Sequence, residues 1–96
     1  MIAFLQGKVA VIESDRLTLD VSGVGYELFA SGRTLDALNT NDDVRLLVHM
    51  HTAQDLLALY AFRFAEEKQL FRRLISVSRV GPKVALAALS ALSAQE

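Results

Sequence analysis

Ninety-six residues suffice for one domain, or for one small domain and part of another, and the core such a chain can bury is modest. A hydrophobic fraction of 52 % is high for a small soluble monomer, so some apolar surface is expected to meet another subunit or a further segment. The absence of cysteine excludes a disulfide framework and a Cys-based zinc site, and a net charge of −1 argues against a generic polycation.

The distribution of charge says more than its sum. Residues 1–62 hold four basic and eight acidic residues, a net of −4, whereas residues 63–96 hold six basic and three acidic residues, a net of +3. Phosphate contacts would therefore concentrate in the second part. At the N-terminus, Met1-Ile2-Ala3-Phe4-Leu5 is apolar, but Gln6, Gly7 and Lys8 end the run too early for a signal peptide. No window reaches the length of a membrane span, and a cytosolic location is expected.

From Ile2 to Leu28 the pattern is that of strands. Val9 and Val11, then Leu17, Leu19 and Val21, alternate with polar or small residues, the period of a half-buried sheet. Glu13-Ser14-Asp15-Arg16 separates the first two strands. Ser22-Gly23-Val24-Gly25 reads as a hairpin turn that needs positive φ, and leads into Tyr26-Glu27-Leu28-Phe29. A strand follows the Gly-Val-Gly, which argues against a phosphate loop. Ser31 to Leu38 predicts one short helix with Ser31 or Thr34 as N-cap, and Asn39-Thr40-Asn41-Asp42-Asp43 a polar loop. Val44, Leu46, Val48 and Met50 define a fourth strand, and Leu57, Leu59 and Ala61 a fifth, alternating with Ala58, Tyr60 and Phe62. Five strands with a short helix between the third and fourth fit a mainly β fold, a small barrel of the OB type, followed by a helical segment.

The character changes near residues 62–64, where a domain boundary is expected, giving units 1–62 and 63–96. Phe64, Leu70, Phe71, Leu74, Ile75 and Val77 recur at helical spacing, with Glu66, Glu67, Lys68, Arg72 and Arg73 on other faces. Arg79-Val80-Gly81-Pro82-Lys83-Val84 then reads as a tight turn into a second helix, with Pro82 in its first turn. From Val84 to Ala94 that helix is apolar or small nearly all round, as if a further element covers it. Two helices joined so closely form a helix-hairpin-helix pattern. Its chemistry is sequence-independent contact with phosphates through backbone N–H groups, with Gly81, Lys83 and Val84 as donors and Lys83 adding charge. An αα-hairpin that only packs is the competing reading.

His49 and His51 lie two apart on a strand and so share a face. A metal would need a further ligand, and no spacing supplies one. Gln54-Asp55 falls at the loop between the fourth and fifth strands, where an Asp is also an ordinary turn residue. No nucleophile–base pair, paired carboxylates or Walker-type loop points to catalysis, and no cofactor or metal is expected.

The opening Met1-Ile2…Leu5…Gly7, the hairpin Gly23-Val24-Gly25-Tyr26-Glu27, Leu59-Tyr60…Phe62, Leu70-Phe71 and Val80-Gly81-Pro82-Lys83-Val84-Ala85-Leu86 occur in one order. In that combination the chain resembles, over essentially its whole length, the N-terminal part of the RuvA family of bacterial Holliday-junction-binding proteins. The resemblance implies an OB-fold domain over 1–62, followed by the first of two helix-hairpin-helix motifs. It implies a homotetramer that holds a four-way junction open and square-planar during recombination and repair. The implied partners are the RuvB motor, which hydrolyses ATP for branch migration, and the RuvC resolvase; this chain would itself be non-catalytic. The implied DNA-binding residues are Arg79, Val80, Gly81, Lys83 and Val84.

In the family an acidic pair forms a pin that repels phosphates near the tetramer centre. Here that pair matches Gln54 and Asp55, so one carboxylate is missing. Arg79 stands where a glycine is usual. If that position needs positive φ, Arg costs on the order of 1–2 kcal/mol there, and Arg79→Gly would raise the melting temperature. Two rival readings remain: a general DNA-binding module that uses the barrel groove, and an oligomerising domain whose basic helices only solvate the surface.

Overall fold

A computed structural model describes residues 1–77 and 80–92. Five strands, β1 (Phe4–Ile12), β2 (Arg16–Val21), β3 (Val24–Phe29), β4 (Asp43–Ala53) and β5 (Leu56–Phe62), close into a barrel in the order β1-β2-β3-β5-β4. Helix α1 (Gly32–Ala37) lies between β3 and β4, and α2 (Ala65–Ser76) and α3 (Pro82–Leu92) follow β5. All ladders are antiparallel except β3 with β5, which pair in parallel at Phe29 and Tyr60 and complete the closure. This is the OB-type barrel with a helical segment that the strand pattern predicts. No helix is long and apolar enough to cross a membrane among the described residues.

Closure depends on β1 serving two neighbours. Its first half pairs with β4, from Phe4↔Leu47 to Lys8↔Asp43, and its second half with β2, from Lys8↔Asp20 to Ile12↔Leu17. The strand bends at the handover. Gly7 sits against the β2 backbone, where a Cβ would collide with the carbonyl oxygen of Asp20 and stand 3.1 Å from Val21 Cγ2. Just beyond, Val9 pairs with Leu19 but Val11 with Thr18, so Ala10 is the extra residue of a β-bulge. The bulge inverts the alternation. Val9 is fully buried, Val11 is 46 % exposed, and Ile12 packs against the core in its place. The strict period that would bury both valines therefore fails at this point.

The β2–β3 turn is also tighter than the glycine pattern suggests. Val21 pairs directly with Val24, so only Ser22 (φ 52°) and Gly23 (φ 91°) form the turn, and Gly25 already belongs to β3. Positive φ at both central residues is the hairpin geometry that matches strand twist. The Gly23 N–H donates to Asp20 Oδ1 at 2.7 Å. Helix α1 begins as expected at Ser31, whose Oγ accepts from the Thr34 N–H.

The interior divides into two packed groups. Inside the barrel, Val9, Leu17, Leu19, Leu28, Leu46, Val48 and Ala61 pack with Ala30, Leu35 and Leu38 near α1. On the outside, Tyr60 and Phe62 of β5 meet Phe71 of α2 and Ala85 and Leu89 of α3. Strand β5 thus faces two ways: Leu59 and Ala61 look into the barrel, and Tyr60 and Phe62 hold the helices. The spacing that assigns Phe64 to the buried stripe of α2 does not hold. It is the N-cap residue, half exposed, with the Arg63 guanidinium 4.8 Å over its ring.

Candidate nucleic-acid interface

The helical pair is fixed to the barrel by one aromatic anchor. Phe71 is fully buried and lies 5.0 Å from Phe62, 5.2 Å from Tyr60 and 5.5 Å from His49, ring centre to ring centre. Helix α2 ends with Val77 N–H donating to Leu74 O, and Val80 N–H then donates to Val77 O. Val80 packs into the outer core beside Leu74 and Leu86, so an apolar side chain pins the far side of the turn.

Gly81 caps α3. Its carbonyl accepts the first intrahelical bond, from Ala85 N–H at 3.0 Å. The N–H groups of Lys83 and Val84 stand ahead of that bond, and Pro82 has none to offer. Both residues are exposed. Gly81 does not adopt positive φ, and a Cβ there would meet nothing within 4 Å. Neither local strain nor internal packing therefore calls for glycine, which leaves room for a group approaching from outside. Val80, Gly81, Lys83 and Val84 are thus brought together at one exposed helix start. Arg79 lies outside the described residues.

Lys83 also borders an open cleft of about 240 Å³ between the barrel and α3, lined by Ser14, Asp15, Ser31, Tyr60 and Ser90 among others. On its far side Ser90 Oγ accepts from Gly32 N–H at 3.0 Å, which docks α3 onto the start of α1. Asp15 is bound to Arg16 at 2.9 Å, and that bond holds its carboxyl below the usual range, with Lys83 adding a smaller pull. Arg16 in turn reaches Glu27 and lies 4.7 Å over the Phe29 ring. Nothing in the spacing of the sequence places this acidic turn opposite Lys83.

Gln54 and Asp55 form the tip of the β4–β5 hairpin. Ala53 pairs with Leu56, so the loop is these two residues alone, with φ of 49° and 70°. The hairpin outruns the β1 ladder, which ends at Leu47, and its tip is exposed, including Leu56 (73 %) and Leu57 (60 %). The tip therefore projects as a narrow arm carrying one carboxylate. Left-handed backbone costs a straight-chain residue roughly 1–2 kcal/mol, whereas Asn visits it readily. Gln54→Asn is expected to stabilise the chain by about 1 kcal/mol, read as a rise in Tm; an unchanged or lower Tm would mean the tip is not held in this turn.

His49 and His51 do share a face, with ring centres 6.1 Å apart, and it is the face that α2 crosses. Burial holds the His49 imidazole below its ordinary pKa, and the charges of Arg72, His51 and Lys68 push the same way. Among the described residues, no three His, Cys, Asp or Glu side chains are grouped to hold a metal ion.

Residues 1–61 match the family model of the RuvA N terminal domain. A Holliday junction branch migration complex subunit RuvA from Gluconacetobacter diazotrophicus is 53 % identical over 94 residues, covering 97 % of this chain and 47 % of the relative. Its counterpart from Syntrophotalea carbinolica is 48 % identical over 96 residues, covering 100 % of this chain and 49 % of the relative. The one from Bdellovibrio bacteriovorus is 45 % identical over 92 residues, covering 94 % and 47 % respectively. The chain spans about half the length of the curated relatives it matches. The family model covers most of the chain, including every strand but the last residue of β5, and the relatives extend the match across the helices: this chain belongs to the RuvA N-terminal domain family.

Proposed function

We propose that this chain is the part of a RuvA subunit that binds four-way junction DNA without reading its sequence, and that it catalyses nothing itself. The observation that carries this reading is the α3 start, where exposed Lys83 and Val84 N–H groups precede the first helical bond under a glycine that nothing internal requires. A helix start of this kind receives phosphate oxygens, and Lys83 adds a positive charge beside them. The relatives are named as subunits of a Holliday junction branch migration complex, which supplies the kind of DNA.

On this reading residues 1–62 form the oligomerising OB domain and residues 63–96 the DNA-facing segment. Four copies assemble around the projecting β4–β5 arms, and Asp55 of each copy faces the junction centre. A RuvB-type motor and a RuvC-type resolvase act on the junction so held.

Lys83→Gln tests the phosphate contact. The slope of log K against log[salt] should become shallower by about 0.9 for each contact removed, with junction and duplex weakened alike. An unchanged slope would take Lys83 out of the interface.

Gln54→Glu tests the arm. Glu and Gln are both straight-chain residues and bear the same backbone cost at φ 49°, so the substitution changes charge and little else. It should lower junction affinity at low salt, with the difference fading as the screening length falls to about 10 Å near 0.1 M. Equal affinities at low salt would remove the arm from the DNA contact.

A further inference from the structure

We propose that His49 and His51 of β4, with Lys68 and Arg72 of α2, form a second anion site that receives a phosphate group. The two imidazoles stand 6.1 Å apart on one face. Phe71 covers that face, edge-on to His49 at 5.5 Å, and Tyr60, the cross-strand partner of His49, lies beside the pair, edge-on to His51 at 6.3 Å. Lys68 and Arg72 are four apart on α2 and therefore flank Phe71 on the same side. Lys68 Nζ donates only a long bond, 3.4 Å, to the Ala3 carbonyl.

Every charged neighbour that acts on His49 is basic: Arg72, His51 and Lys68. From β5 the facing group is the Tyr60 hydroxyl, which burial holds in its neutral form. The ion pairs formed among the described residues are Lys8 with Asp43, and Arg16 with Asp15 and Glu27, all elsewhere. Glu67, the nearest acidic residue before Lys68 on α2, instead accepts from the Arg63 N–H.

Burial, and then the charges of Arg72, His51 and Lys68, hold the His49 imidazole below its ordinary pKa, and among the described residues no ion pair brings a carboxylate to these four basic groups. A tetrahedral oxyanion placed among them reverses the balance. Arg72 offers a planar fork of donors, Lys68 a point charge, and each imidazole a second N–H on protonation. The anion is a phosphate group, either free or in a DNA backbone. Only the second source rests on the DNA-binding reading above.

The histidine titrations of the 96-residue chain, followed by NMR, test the site. The probe is inorganic sulfate, which stands for phosphate and keeps one charge across the titration, against chloride at equal ionic strength. The His49 pKa should rise by about one unit in sulfate, the low end of the effect of a close opposite charge. Arg72→Gln should abolish most of the rise, and Lys83→Gln should leave it intact. Equal titration in sulfate and chloride, or a rise that survives Arg72→Gln, overturns the site.

A duplex oligonucleotide then separates the sources. A matching rise assigns the site to DNA phosphates, and a rise with sulfate alone assigns it to a free phosphate group. A chain that shows the sulfate effect but binds no junction keeps this site and loses the DNA-binding reading.

Discussion

Replacing Phe71 by alanine should lower stability by about 3–5 kcal/mol, the range for deleting a buried aromatic ring. Phe71 is fully buried and touches Tyr60, Phe62 and His49, so its removal empties the contact between α2 and the barrel. Domains of this size hold only about 5–15 kcal/mol in total. At about 4–8 °C per kcal/mol, the loss amounts to a fall in Tm of about 12 °C or more. The loss should also be uneven. The core inside the barrel shares no buried residue with the outer group, so amide protection should vanish from α2 and α3 first. The β2 and β3 amides around Leu17, Leu19 and Leu28 should stay protected. Uniform loss across barrel and helices would show that the two groups do not separate as drawn.

Gly7→Ala is expected to be strongly destabilising, because among the five glycines it is the one where an added Cβ runs into backbone. The new Cβ would meet the Asp20 carbonyl oxygen and stand 3.0 Å from its carbonyl carbon, and these are backbone atoms of a paired strand. They cannot yield without pulling β2 away from β1 at the point where β1 passes from one neighbour to the other. Overpacking of this kind costs about 1–3 kcal/mol where side chains give way, and a backbone obstruction belongs at the upper end. Thermal unfolding of Gly7→Ala checks this, and a Tm within about 2 °C of the parent chain would contradict the close approach. Gly81→Ala is the natural control for space, because an added Cβ there meets nothing within 4 Å.

Much of the barrel was legible in the residues themselves. Leu17 and Leu19 alternate cleanly because β2 itself carries no extra residue and pairs with β3 without a break, and Ser31 announces α1 through the cap it makes. Val11 misled because a bulge changes which residues face inward without changing their order. Phe64 misled for a related reason: helical spacing marks an apolar residue but does not say where the helix begins. At the site, Gly81-Pro82-Lys83 was readable as a helix start because capping is a local matter. The Asp15 turn facing Lys83, and the docking of Phe71 against His49 that brings the charges of Lys68 and Arg72 to bear on it, were not. Those contacts join elements distant along the chain, and only the docking of the helices on β5 creates them.

The β4–β5 arm is set by local geometry. Its two-residue turn places Gln54 and Asp55 in left-handed backbone at a fixed point in space, beyond the last rung of the β1 ladder. A rigid tip of this kind can hold a charge at a defined distance from a partner, which a long loop cannot. The exposed Leu56 and Leu57 beside the turn are apolar surface of the sort a partner would cover.

On the proposed reading, this chain prefers a four-way junction to ordinary duplex. A labelled junction bound to the chain, challenged with unlabelled junction or with linear duplex of the same sequence, tests it most directly. Phosphate contacts at the α3 start act on both DNAs, so salt alone cannot produce the preference. Unlabelled junction should displace the label at concentrations at least about tenfold below those of duplex, a difference of about 1.4 kcal/mol. Equal displacement by the two DNAs would contradict it.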